Sequence, residues 1–259
     1  MLIYTRKKTR LLRHFRKDPV LFAYHIGDLD DFFFEHSQFA GAYEGSHVLK
    51  DVILVYTGLE TANVITFGLT DAIYELLDDL IPLLPDRFYS QFFSEYRGRL
   101  RETYGERPLG THFKMKLVDY RPVVDSSADI TRLNRSNVQE LREFYSAAYP
   151  GSYFGEMILD TEKFFGCKEQ GKLVAVAGVH VYSREYKIGV LGSIATHPDF
   201  RGRRLASQVT CRLIDDLKND VDLICLNVKA DNAPAVRCYE KLGFVKTHEF
   251  EEALFEKVK

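Results

Sequence analysis

The chain has 259 residues, 46% hydrophobic and 28% charged, with a formal net charge of −2. That is the composition of a soluble globular protein with material for a full core, and the length suits one large domain or two small ones. The charge balance argues against a nucleic-acid binder, and no apolar run approaches the ~20 residues of a membrane helix. The four cysteines, Cys167, Cys211, Cys225 and Cys238, show no metal-ligand spacing. No metal is therefore expected, and unpaired cysteines together with first residues lacking the apolar stretch of a secretion signal point to the cytoplasm.

A basic helix is expected over Thr5 to Lys17, its charges forming a solvated face. Asp51 to Tyr56 and Asn63 to Phe67 read as strands joined by a hairpin near Gly58. From Thr70 to Leu84, apolar residues at helical spacing predict a helix capped by Thr70 or Asp71 and ended by Pro82 and Pro85. A strand (Arg87 to Gln91), a helix (Phe92 to Tyr104) and a strand (His112 to Val118) complete the first half. Gly27 to Asp31 has the acidity to attract a cationic amine, but reads better as a helix start with capping carboxylates.

Arg121-Pro122 to Asp125-Ser126-Ser127 reads as a linker, which places the boundary near residue 125 and the two domains at 1–125 and 126–259. In the second half, a strand (Ile130 to Leu133) and a helix (Val138 to Ala148) precede a hairpin of Phe164 to Lys168 with Leu173 to Tyr182. A strand (Gly189 to Thr196), a helix (Arg203 to Lys218), a near-continuous apolar strand (Leu223 to Val228) and a helix (Ala233 to Leu242) follow. Gly243 is placed as an αL cap, and Phe244 onward returns as strands. The class is α/β, or mixed α+β, with a central mixed sheet flanked by helices. Both halves share a rough element order, so the first is a smaller α/β domain whose topology resembles that of the second.

Two stretches carry chemistry. In Gly192 to Ser207 a strand runs through a short loop into a helix. The unpaired first N–H groups of a helix and its dipole form an anion site suited to a pyrophosphate. Gly202 and Ala206 are small enough for close approach, and Arg201, Arg203 and Arg204 add positive charge. In Asn227 to Phe244, Asp231 or Asn232 caps a helix, and Tyr239 lies about two turns along it.

Together these stretches resemble the acetyl-CoA-binding core of the GNAT superfamily of N-acetyltransferases. Its phosphate loop follows Q/R-x-x-G-x-G/A. Arg201 to Ala206 matches at Arg201 and Ala206, while Arg204 stands in place of the central glycine, a residue that does not take positive φ cheaply. Tyr239 to Phe244 fits the family's Tyr-Glu-x-Leu-Gly-Phe ending. The resemblance covers the C-terminal half and implies that acetyl-CoA is the co-substrate. It implies that Ile194, Ala195 and Thr196 pair with the pantetheine arm. Gly202, Arg203, Arg204, Leu205, Ala206 and Ser207 would cradle the pyrophosphate, with Arg201 beside them. Asn232 would contact the arm near the thioester, and Tyr239 would sit at the sulfur as the acid that protonates the leaving thiolate. The N–H of Ile194 is the candidate oxyanion donor.

No base is assigned. Val190 and Asn227 lie where many relatives carry a glutamate, and His180 and His197 read as structural or surface residues. The resemblance implies an N-acetyltransferase acting on a small-molecule or peptide amine by direct attack. The alternatives are a longer-chain or glycine-type N-acyltransferase, or a non-catalytic acyl-CoA-binding module. No nucleic acid or membrane partner is expected, and a homodimer stays open. The first half carries no cofactor motif and is expected to shape the acceptor pocket or a dimer contact.

Overall fold

A computed structural model describes residues 2–45, 48–123, 128–150 and 154–258. The boundary expected near residue 125 lies outside the described residues. In chain order the elements are β1 (Leu2–Tyr4), α1 (Lys8–Phe15), α2 (Ala23–Gly27), α3 (Asp31–Phe34), β2 (Ser37–Glu44), β3 (Val48–Tyr56), β4 (Ala62–Thr66), α4 (Ala72–Leu80), β5 (Arg87–Phe92), α5 (Arg97–Arg101) and β6 (Tyr104–Leu117). Then come β7 (Ile130–Leu133), α6 (Val138–Ala148), β8 (Phe164–Glu169), β9 (Lys172–Ser183), β10 (Ile188–Thr196), α7 (Leu205–Leu217), β11 (Leu223–Lys229), α8 (Ala233–Leu242) and β12 (Phe244–Lys257).

The chain forms two compact units. The first comprises Met1–Lys114, Val228–Asp231 and Thr247–Lys259, and the second Met115–Asn227 and Asn232–Lys246. The first unit therefore takes in the C-terminal strand as well as the N-terminal half.

In the first unit the strands run β1-β2-β3-β4-β5-β12. The first four are antiparallel neighbours, β4 and β5 are parallel, and β12 is antiparallel to β5. The apolar stripe of α4 (Ile73, Leu76, Leu77, Leu80) is buried against Ile53, Val55 and Val64 of this sheet. The Thr70 hydroxyl accepts the Ala72 N–H at 3.3 Å, so the expected cap forms. Helix α5 is shorter than the expected Phe92 to Tyr104, and β6 correspondingly starts at Tyr104.

His14 of α1 is 2% exposed and packs against Phe15 and Phe22. Burial first, and the charge of Lys17 second, lower its pKa to about 4. The unfolded chain takes up a proton near pH ~6.5 that the folded chain refuses until near pH 4. The stability contributed by neutral His14 is thus complete above the unfolded pKa and is lost as pH falls through this window. His14→Leu is expected to flatten the fall in stability on acidification by up to one proton, about 1.4 kcal/mol per pH unit near pH ~5. Urea titrations of both proteins across that range measure it; parallel pH slopes would show that His14 is not the group responsible.

The second unit repeats the pattern. Its strands run β7-β8-β9-β10-β11, antiparallel except for the parallel β10–β11 pair. Helix α7 buries Val209, Leu213, Ile214 and Leu217. A Cβ on Gly189 of β10 would lie 3.4 Å from Leu217, so α7 sits close on that face. Helix α6 packs against β9 and β10 and buries Leu141, Phe144 and Tyr145.

Candidate functional site

The site begins where β10 stops being an ordinary strand. Its parallel ladder with β11 pairs Ile188–Leu191 with Leu223–Leu226, and β10 then continues to Thr196. On its other side, Gly192 pairs with Gly178 and Ala195 with Val176, so Ser193 and Ile194 together oppose Ala177. That is a β-bulge, which bends the strand and frees backbone groups from the ladder. Ser193 takes the left-handed conformation at φ 54°, and its carbonyl accepts the Tyr145 hydroxyl at 2.6 Å. Helix α6 thus pins the bulge. Beyond it Ile194, Ala195 and Thr196 are half-buried, with backbone available along an edge that β11 no longer covers.

The loop to α7 turns on two left-handed residues, Gly202 at φ 80° and Arg204 at φ 59°. Arg204 therefore adopts the conformation that its side chain disfavours, at a cost of roughly 1–2 kcal/mol. The first intrahelical bond of α7 runs from Gln208 N–H to the Arg204 carbonyl, so the N–H groups of Leu205, Ala206 and Ser207 precede it. No atom lies within 4 Å of a Cβ built on Gly202, so the turn is open. Arg201 is exposed and donates to the Thr196 carbonyl at 3.4 Å. Arg203 is directed elsewhere: its guanidinium forms a two-pronged pair with Glu169 at 2.6 and 3.0 Å. Leu205 is buried and anchors the helix start rather than facing the loop.

Helix α8 supplies the remaining residues. The Asn232 side chain accepts the Ala235 N–H at 3.2 Å and so acts as its cap. The Ser207 hydroxyl and the Cys238 sulfur, 3.1 Å apart, link α7 to α8. Tyr239 is 8% exposed, with its ring edge-on to Phe244 at 6.0 Å. Burial first, then Cys238 and Tyr149, push its phenol above the ordinary value, so it is held protonated and able to donate. Among the described residues no group of His, Cys, Asp and Glu converges to hold a metal ion.

The first unit shares the element order but lacks these features. Its β4–β5 ladder runs from Ala62↔Phe88 to Thr66↔Phe92, the last residue of both strands. The turn before α4 is filled by a carboxylate of the same unit. Asp51 is 0% exposed and accepts the N–H groups of Leu69 (2.7 Å) and Thr70 (3.0 Å) and the Thr70 hydroxyl (2.5 Å). A carboxyl group of the chain's own thus occupies the helix start that the second unit leaves open.

A mixed sheet in which a bulged strand leads into an open helix start is an arrangement whose unpaired N–H groups suit an anionic ligand. Residues 130–244 match the model of the Acetyltransferase (GNAT) family, and the C-terminal half of the chain carries a domain of that family. The [ribosomal protein bS18]-alanine N-acetyltransferase of Escherichia coli strain K12 is 37% identical over 81 residues, which are 31% of this chain and 53% of that protein. The chain therefore spans about half the length of this curated relative. Among solved structures, a Drosophila protein superposes with a TM-score of 0.77 at 14% identity, covering 98% of each chain. A tandem GNAT protein from the clavulanic acid biosynthesis pathway superposes with a TM-score of 0.62 at 9% identity, covering 100% of this chain and 99% of its own. Both likenesses concern the fold.

Proposed function

We propose that the protein transfers an acetyl group from acetyl-CoA to a primary amine by direct attack. The bulged and diverging end of β10, leading into the open turn before α7, carries this reading. The edge of Ile194–Thr196 that β11 does not pair suits the amides of a pantetheine arm, and the N–H groups of Leu205, Ala206 and Ser207 suit its pyrophosphate. In the reaction the amine lone pair forms a bond to the thioester carbon, and the oxygen gains charge beside the Ile194 N–H. Collapse re-forms the carbonyl and breaks the C–S bond, and the sulfur takes the proton of Tyr239. The relative named for acetylating an alanine of a ribosomal protein supports a peptide α-amine as acceptor class. The free cysteines suit a reducing compartment, and the proposal places the protein in the cytoplasm.

Calorimetric titration with acetyl-CoA and free CoA tests the reading. Both are expected to bind, and Arg201→Glu, which reverses charge at the turn while leaving its backbone, is expected to weaken both by about tenfold. Well-folded protein that binds neither would overturn it. Acetyl-CoA outcompeted by longer acyl-CoA donors in thiol release would instead favour a longer-chain acyltransferase.

A further inference from the structure

Attack by an amine leaves a proton on nitrogen, which a base must remove. Neither Val190 nor Asn227 supplies a carboxylate. The bulge geometry of β9 brings a different group to this place. Val190 pairs with Val181 and Leu191 with Val179, so His180 is the extra residue of a second bulge, on the strand beside β10. Bulges re-aim a side chain out of the ordinary alternation. Residues 173–179 and 181 of β9 are all buried, yet His180 is exposed. Its ring therefore lies on the sheet face that α7 does not cover.

The ring rests on Gly192, the residue that opens the β10 bulge. A Cβ at Gly192 would fall 2.2–2.3 Å from the Cδ2, Cγ and Nε2 of His180, so only glycine leaves room for the imidazole there. The paired Gly178 is covered in the same way by Phe164, which stands near Phe154, and Phe154 near Tyr145. The imidazole thus lies in an aromatic floor immediately before Ser193 and Ile194, where the acyl carbonyl would sit. Solvent reaches the ring by area, yet protein surrounds it closely enough that desolvation lowers its pKa to about 4. That combination fits a side chain looking out from a concave surface, and it keeps the imidazole neutral.

We propose that His180 is the catalytic base, accepting the proton that the amine loses as its C–N bond forms. This rests on the acetyl-transfer reading above. The nitrogen's proton passes to the imidazole, the electron pair of the broken C–S bond stays on sulfur, and Tyr239 protonates the sulfur.

The test is thiol release from acetyl-CoA with an alanine-initiated peptide and a panel of simple primary amines. It compares wild type, His180→Ala, His180→Phe and Gly192→Ala, with acetyl-CoA affinity measured for each. His180→Ala and His180→Phe are expected to lower kcat by about 10²-fold at unchanged acetyl-CoA affinity. Added imidazole is expected to restore part of the rate to His180→Ala but not to His180→Phe, whose ring fills the space without a lone pair. Gly192→Ala, which displaces the ring while leaving it in the chain, is expected to follow His180→Phe. Unchanged kcat in both His180 variants, or a loss that only tracks affinity, overturns the role of His180 while wild-type turnover preserves the acetyl-transfer reading. A wild-type protein that releases no thiol with any acceptor removes both.

Discussion

Tyr239→Phe should lower kcat for acetyl transfer by about 10²-fold or more while leaving acetyl-CoA affinity within about a factor of two. The substitution removes one oxygen and keeps the ring that packs against Phe244. Helix α8 and its Asn232 cap are untouched, so the fold should be too. What disappears is a proton donor. A thiol of pKa ~8.5 is a reasonable leaving group, but expelling a bare thiolate into a partly dry site is costly, and a phenol nearby offsets that cost by giving up its proton as charge develops. Burial raises the Tyr239 phenol, so it holds its proton until the thiolate forms beside it. Steady-state kinetics and titration of the same preparation separate the two effects. A kcat equal to wild type would show that the thiolate leaves without help from this position, whereas lost affinity together with a lowered melting temperature would point to packing.

The second unit was legible in the sequence because its strands are apolar and its helices capped. Leu223 to Val228 and Ala233 to Leu242 stand close to where they were expected. The first unit was read less well for physical reasons. Strand β2 (Ser37–Glu44) is rich in alanine and glycine and poor in β-branched residues, so nothing marked it as extended until β3 paired with it. The short helices α2 and α3 fall below the length at which periodicity shows. Of the acidic run, Asp30 does cap α3 by accepting the Phe32 N–H, while Asp28 is buried, and that burial holds its carboxyl well above the usual range. That β12 completes the sheet of the first unit is a pairing with β5 across most of the chain, which no local pattern encodes.

At the site, residue types were readable and conformations were not. The spacing of Arg201 to Ser207 marked the turn into α7, but the pairing of Arg203 with Glu169 depends on a strand far away in sequence. Arg204 was expected to resist positive φ and instead adopts it, with the open turn leaving its side chain in solvent. His180 was read as structural or surface. It is a lone imidazole within Val174 to Val181, an otherwise apolar strand, beside a strand that carries glycine at Gly192, and the structure places it exposed. Spacing does not reveal which of two neighbouring strands carries a bulge, and here the bulge decides where the ring points.

Gly243→Ala should destabilise the protein by about 3–5 kcal/mol, among the largest losses that a single methyl group can cause. Gly243 ends α8 at φ 99°, where its N–H donates to the carbonyls of Tyr239 and Glu240. Its own carbonyl accepts the N–H groups of Val118 (3.0 Å) and Asp119 (3.3 Å), and the Leu242 carbonyl accepts that of Arg121 (3.0 Å). The helix end is thereby stitched to the segment after β6. A Cβ at Gly243 would lie 1.7 Å from the Asp119 carbonyl oxygen and 2.5 Å from its carbon, and a backbone so bonded cannot step aside without breaking those bonds. Gly202→Ala is the matched control. It too sits at positive φ, at 80°, but nothing lies within 4 Å of its Cβ, so only the conformational cost of ~1–2 kcal/mol applies. Urea denaturation of the two variants side by side isolates the clash. Equal losses would mean that the segment holding Asp119 yields freely, and that the end of α8, with Tyr239 one turn before it, is held in place by something other than this junction.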